Sequence, residues 1–99
     1  MINRKVTWTR AAMNQFDKII GYIRKDSEQN AGRVKKKILD KVNQLSDDRI
    51  VHRKDPNKKN NDGNYLYFEI LKYRIVYYNS KEEVFIIRIR HTSMEPKQY

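Results

Sequence analysis

YLYFEILKYRIVYYNSKEEVFIIRIRH, residues 65–91, carries three runs rich in β-branched and aromatic residues. The runs read as strands over Tyr65–Leu71, Tyr73–Tyr78 and Val84–His91, the composition favoured on a pleated, half-buried surface. Asn79-Ser80-Lys81-Glu82 is a hairpin turn between the last two, and Lys72 alone separates the first two, so that turn is tight or the boundaries are blurred. Strands joined this closely form an antiparallel meander. A single meander buries only one side, so its partner must come from the residues before it.

Upstream, Asn61-Asp62-Gly63-Asn64 is a strong turn signal, and residues 47–64 lack any period. They are expected to form a long loop with at most a short irregular element. Before it, Ala31, Val34, Ile38, Val42 and Leu45 recur at helical spacing to about residue 46, with Arg33, Lys35, Lys36, Lys37 and Lys41 on the other face. Ser27 is a plausible cap for that helix. Ala12, Phe16, Ile19, Ile20 and Ile23 place a second apolar stripe on a helix over about 10–25, with Thr9 as N-cap. Two helices so closely joined predict an antiparallel hairpin lying on one face of the meander. Ile2, Arg4, Val6 and Trp8 alternate with polar residues as a first strand, which joins an edge or pairs across the sheet. Pro96 is expected to end regular structure. The fold class is α+β, with one domain over residues 1–99.

Composition narrows the chemistry. The chain has 22 Lys+Arg against 12 Asp+Glu, a formal charge of +10, and no cysteine. Disulfide scaffolds, Cys-ligated zinc and thiol catalysis are therefore excluded. Mean hydropathy is −0.96, yet Leu, Ile, Val and Phe number 24 of 99, above the level of about 20% that marks disordered chains. The longest apolar run, Val84–Ile87, is too short to span a bilayer, and no apolar leader is evident. A cytoplasmic protein is the expectation, and the charge points to nucleic acid or an acidic partner.

Several motifs in this order resemble the RelE/ParE superfamily of toxins from type II toxin–antitoxin modules. They are Trp8-Thr9-Arg10-Ala11-Ala12 before a helical hairpin, Lys59-Asn60-Asn61-Asp62-Gly63 before Tyr65 and Phe68-Glu69, Tyr73-Arg74-Ile75-Val76-Tyr77, and a last strand ending Arg90-His91-Thr92-Ser93. The resemblance spans essentially the whole chain. It implies a cognate antitoxin as partner and one of two activities. RelE-like members cleave mRNA on the ribosome without a metal, and ParE-like members inhibit DNA gyrase without bond-breaking chemistry. The mRNA endonuclease is the first expectation and the gyrase inhibitor the alternative; neither calls for a cofactor.

Metal-free RNA cleavage needs a base for the 2′-OH, an acid for the departing 5′-oxygen and cations for the growing charge. By resemblance, Arg74 contacts the scissile phosphate, His91 acts as acid or base, and Tyr99 stacks on a base. Arg90 is a further candidate cation, and Asp55 and Glu69 are the candidate carboxylates. Each also has an ordinary reading: Arg74 paired to Glu82 or Glu83, His91 a strand-end cap, Tyr99 frayed, Glu69 holding a cation across the sheet. Lys35, Lys36, Lys58 and Lys59 are candidates for gripping phosphates or are simply solvated. His52 has no partner pattern, and two histidines without spaced carboxylates do not make a metal site. Met94 stands where relatives with this ending often carry Arg, a departure that points away from nuclease chemistry. A hairpin closed symmetrically around Ser80-Lys81 puts Arg74 opposite Ile87 on the side of His91, with Arg88 and Arg90 behind. A shift of one residue reverses this, so the sequence leaves open which Arg joins His91.

Overall fold

The computed structural model describes residues 3–94 and 97–99. Ile2 of the expected first strand and the expected terminator Pro96 lie outside them. Thr9 opens helix α1 (Arg10–Asp26) by accepting the Ala12 N–H on its side chain, and its hydroxyl also reaches the Ile86 carbonyl, 2.8 Å away. Ser27 ends α1 and begins α2 (Glu28–Asn43). Its N–H bonds the Ile23 carbonyl and its Oγ accepts the Asn30 N–H at 3.0 Å, so one residue closes one helix and caps the next. A 3₁₀ turn over Gln44–Ser46 carries the helical path to its expected end.

Five strands follow from the rest: β1 (Lys5–Trp8), β2 (Arg53–Lys54), β3 (Tyr65–Ile70), β4 (Tyr73–Asn79) and β5 (Glu83–His91), in spatial order β1-β5-β4-β3-β2. The meander β3-β4-β5 is antiparallel, β1 lies parallel to β5 at one edge, and the two-residue β2 covers part of the other. The fold is α+β, with the helical hairpin on one face of the sheet.

The core lies between the two layers. Ala12, Phe16 and Ile20 of α1 and Ala31, Val34, Ile38 and Val42 of α2 pack with Leu66, Phe68, Ile75, Tyr77, Val84, Ile86 and Ile89. Arg4, ahead of β1, is buried as well. Its guanidinium donates to the Leu45 and Ser80 carbonyls at 2.9 and 3.0 Å and to the Asn79 side chain, tying the end of the helical layer to the β4–β5 turn. Sequence alternation placed Arg4 with the apolar residues of the first strand, and these carbonyls are what make its burial tolerable.

The β3–β4 connection is a two-residue turn, Leu71-Lys72, with Ile70 opposite Tyr73. Both residues have positive φ, 51° and 68°, as a primed hairpin turn requires. Neither is the Gly or Asn that adopts this region at little cost, which is why no turn signal is visible at these two positions. Lys72→Gly is therefore expected to stabilise the fold by about 0.5–1 kcal/mol. Urea unfolding would read this as a higher midpoint at unchanged slope.

Candidate functional site

The β4–β5 register sets the site. Tyr78 faces Phe85 and Tyr77 faces Ile86, but Val76 faces Arg88, so Ile87 is an extra residue in β5. Beyond the bulge the pairing runs Ile75 to Ile89, Arg74 to Arg90 and Tyr73 to His91. Parity is thereby reversed within β5. Ile86 before the bulge and Ile89 after it both point to the helices, while Arg88 and Arg90 join Arg74 on the open face. The symmetric hairpin considered from sequence does not form, and Arg90, not His91, shares a face with Arg74. Gln15 of α1 accepts the Ile89 N–H at 2.9 Å, where β1 no longer covers the edge of β5.

Two arginines directly opposite each other repel, so the face needs acceptors. Asp55 supplies the carboxylate nearest to Arg74. Its side chain is fully buried, and Oδ1 accepts from Arg74 Nη2 at 2.8 Å and from the Asn57 N–H at 3.1 Å. Oδ2 accepts the Tyr99 hydroxyl at 2.6 Å. Asn61 holds Asp55 in place: its side-chain amide donates to the Asp55 and Tyr65 carbonyls, and its oxygen accepts the Gly63 and Tyr65 N–H groups. Gly63, at φ 97°, provides the backbone that this loop closure needs. Burial pushes the Asp55 carboxyl up, but the Tyr99 hydroxyl, Arg74 and the Asn57 N–H together hold it below the ordinary carboxylate range.

Glu69 stands opposite Arg74 with an oxygen 3.6 Å from Nη1, and Tyr67 lies under the guanidinium, 3.6 Å from carbon to ring centre. Arg88 stacks 4.0 Å from the centre of the Tyr99 ring and donates to the Lys97 carbonyl at 2.7 Å. Tyr99 is anchored through its backbone too, donating to Asn57 at 3.0 Å and accepting the Lys59 N–H at 2.7 Å. Lys58 reaches over the Tyr65 and Tyr99 rings at 4.8 and 5.4 Å. Val76, on this same face, is wholly buried without belonging to the helix-side core. Arg74, Arg90, Asp55, Glu69, Tyr99 and Lys58 are thus gathered in one network, with Lys59 at its border.

His91 shares no hydrogen bond with that network among those seen, but it borders the hollow that Arg74, Arg88, Arg90 and Glu69 line. It pairs with Tyr73 edge to face, 5.2 Å between ring centres, and its Nδ1 accepts the Ser93 N–H at 3.0 Å. With Ile19, Tyr22, Tyr73, Ile89 and Met94 it lines a groove of about 600 Å³ between α1 and the end of β5. Lys35 and Lys36 lie on the outer side of the helical layer, and Lys36 pairs with Asp40 at 2.8 Å. His52 is engaged with Tyr77, Nδ1 to hydroxyl 2.7 Å. Arg88 was not singled out as a site residue from sequence, because without the bulge nothing placed it beside Arg74, while Tyr67, read from sequence only as one of several tyrosines able to offer a stacking surface, reaches Arg74 through the β3–β4 ladder. Among the described residues no group of three His, Asp or Glu could hold a metal ion.

The family model described as the ParE toxin of the type II toxin-antitoxin system parDE matches residues 6–96. The chain belongs to this ParE toxin family. Among solved structures it is similar to one titled as the chromosomal ParDE toxin–antitoxin system from P. aeruginosa, with a TM-score of 0.72 at 18% identity. That match covers 91% of this chain and 97% of the other, and at this identity it speaks for the fold alone. No curated protein matches the chain. The toxin is therefore a RelE/ParE-superfamily member of a type II module, and no helix among its described residues is long and apolar enough to cross a membrane.

The Asp55 network makes a stability prediction with a definite sign. A carboxyl whose pKa is depressed on folding stabilises the fold above its unfolded value of about 3.9, and that contribution disappears as pH falls through the lower folded value. Asp55→Asn should cost about 2–4 kcal/mol at pH 7, because Arg74 loses its buried counter-charge. Urea melts of both proteins should show the gap unchanged down to the ordinary carboxylate range and shrinking only on its acid side.

Proposed function

We propose that this toxin acts as a binding protein that inhibits DNA gyrase and does not cleave RNA. The observation that carries the reading is the closed Asp55–Arg74–Tyr99 network. A general base must be free to accept a proton, yet both Asp55 oxygens are already occupied and the carboxylate is held at low basicity. The phosphate-binding candidate Arg74 is ion-paired to Asp55 and Glu69. The acid candidate His91 lies on the side of Tyr73, with its Nδ1 turned to Ser93. Glu69, Arg74 and His91 border one hollow, but Arg74 is already ion-paired there and His91 Nδ1 already hydrogen-bonded. The ParE family model agrees with this reading, since gyrase inhibition is the activity that the ParE-like branch implies.

A neighbouring-gene antitoxin completes the proposal, in the cytoplasm where both targets lie. The groove between α1 and β5 has Tyr22 and Met94 exposed at 76% and 54%, while Lys18 and Arg90 are its only fully charged lining residues among those described. An acidic segment with apolar anchors fits such a surface. Ile19→Glu should weaken co-elution with the antitoxin at least about tenfold, through a buried charge and lost apolar contact. Arg74→Ala should leave co-elution intact.

The activities separate in one experiment. With purified toxin, supercoiling by gyrase is expected to stop, while ribosome-bound mRNA stays intact with EDTA present. Cleavage that resists EDTA and is lost in both Arg74→Ala and His91→Gln would overturn the proposal in favour of the endonuclease.

A further inference from the structure

Arg4 is only 6% exposed, yet its guanidinium meets neutral acceptors alone. Nη1 donates to the Asn79 side chain and the Ser80 carbonyl, and Nη2 donates to the Leu45 carbonyl. Nε is buried with no acceptor. The donors left over therefore sit on Nε and Nη2, two nitrogens of one planar fork. Among the described residues no carboxylate is ion-paired to Arg4. A guanidinium stays protonated even when buried, so this is a charge without a counter-ion.

Arg4 lines a hollow of about 570 Å³ at the β4–β5 turn, walled also by Asn64, Tyr78, Ser80, Lys81 and Asp48. That volume falls in the range of small-molecule sites. The hollow stands at the far end of the β4–β5 ladder from Arg74 and His91. Its frame is fixed by backbone bonds of 2.8 Å, from the Arg4 N–H to the Ser46 carbonyl and from the Asn79 N–H to the Asn64 carbonyl. The Tyr78 ring is held edge to face against Tyr65, 5.0 Å between centres. Lys81 and Asp48 are both exposed, so they bring opposite charges to the rim.

We infer that this hollow is a binding site for a small organic monocarboxylate, held by Arg4 and Lys81. The two oxygens of a carboxylate match the paired donors on Nε and Nη2, and a charged oxygen is a stronger acceptor than the carbonyls now around Arg4. With Lys81 and Asp48 offsetting each other, the charge left to balance is that of Arg4. A single carboxylate balances it, and a multiply charged anion gains nothing more. Tyr78 gives the body of the ligand an aromatic wall.

The test uses the full chain and two isosteric probes, benzoate and the neutral benzamide, followed through backbone amide shifts by NMR. Benzoate is expected to shift the Asn64, Ser80 and Lys81 amides saturably. Benzamide should bind at least about tenfold more weakly, because its bonds to the guanidinium are not charge-assisted. Arg4→Lys keeps the charge but loses the fork, and should weaken benzoate about tenfold. Lys81→Glu, at an exposed turn position, should weaken it about two- to fivefold. Unchanged benzoate affinity in folded Arg4→Lys overturns the inference. Should Arg4→Lys not fold, Lys81→Glu decides, and unchanged affinity there overturns it too. Equal binding of the two probes, or benzoate shifts absent from these amides, has the same consequence. Inorganic phosphate bound at these amides at least as tightly as benzoate overturns the assignment to a monocarboxylate.

Discussion

Between Val76 and Tyr77 the β4–β5 ladder skips Ile87, and the composition of both sheet faces follows from that skip. With strict alternation, Val84, Ile86, Arg88 and Arg90 would share one face, forcing two guanidiniums among Ile75, Phe16 and the helices. The bulge lets β5 bury Val84 and Ile86 before it and Ile89 after it, all almost fully excluded from solvent. The same reversal delivers Arg88 and Arg90 to the face of Arg74. An apolar requirement on one side of the sheet thus creates the cationic cluster on the other. That cluster in turn requires the buried Asp55, since like charges across a ladder do not stay together unaided.

Burying a carboxylate is itself costly, and the structure meets the cost with hydrogen bonds drawn from distant parts of the chain. Arg74 comes from β4, Asn57 from the loop and Tyr99 from beyond β5. Each partner also has a second attachment. Arg74 rests on Tyr67, and Tyr99 is held by backbone bonds to Asn57 and Lys59 and by Arg88. Removing any one of them leaves the others with buried polar atoms unmatched, so the network is cooperative. Rigidity of this kind suits a fixed recognition surface. It is poorly suited to a reaction in which the same carboxylate must gain and lose a proton.

Wherever a local pattern decided the answer, the sequence was legible. Helical spacing from Ala12 to Leu45 located the hairpin, Thr9 and Ser27 marked its caps, and Tyr65–His91 located the meander to within a residue or so. The first strand was found as well, but nothing in its alternation said that it runs parallel to β5 at the edge. The bulge was not legible, because Ile87 sits in an unbroken apolar run with no Gly to mark it. Asp55 and Tyr99 were each singled out, yet their hydrogen bond joins positions 44 residues apart, and no period links them. Arg4 reads as a strand residue until the Leu45 and Ser80 carbonyls are seen around it. In each case the missing information was a long-range partner.

Arg90 and His91 are adjacent in β5, and successive strand residues point to opposite faces. Arg90 therefore belongs with Arg74 on the cationic and aromatic face, while His91 lines the apolar groove beside α1. Arg90 borders the groove as well, so one short stretch of strand forms part of both surfaces. A segment bound along the groove would pack against His91 and Tyr73 and bring its charge within a few ångströms of Arg90, inside the Debye length at physiological salt. An acidic segment there would lower the positive potential of the opposite face without touching Arg74. The bulge at Ile87 fixes this arrangement, because it sets which of the two neighbouring residues points each way.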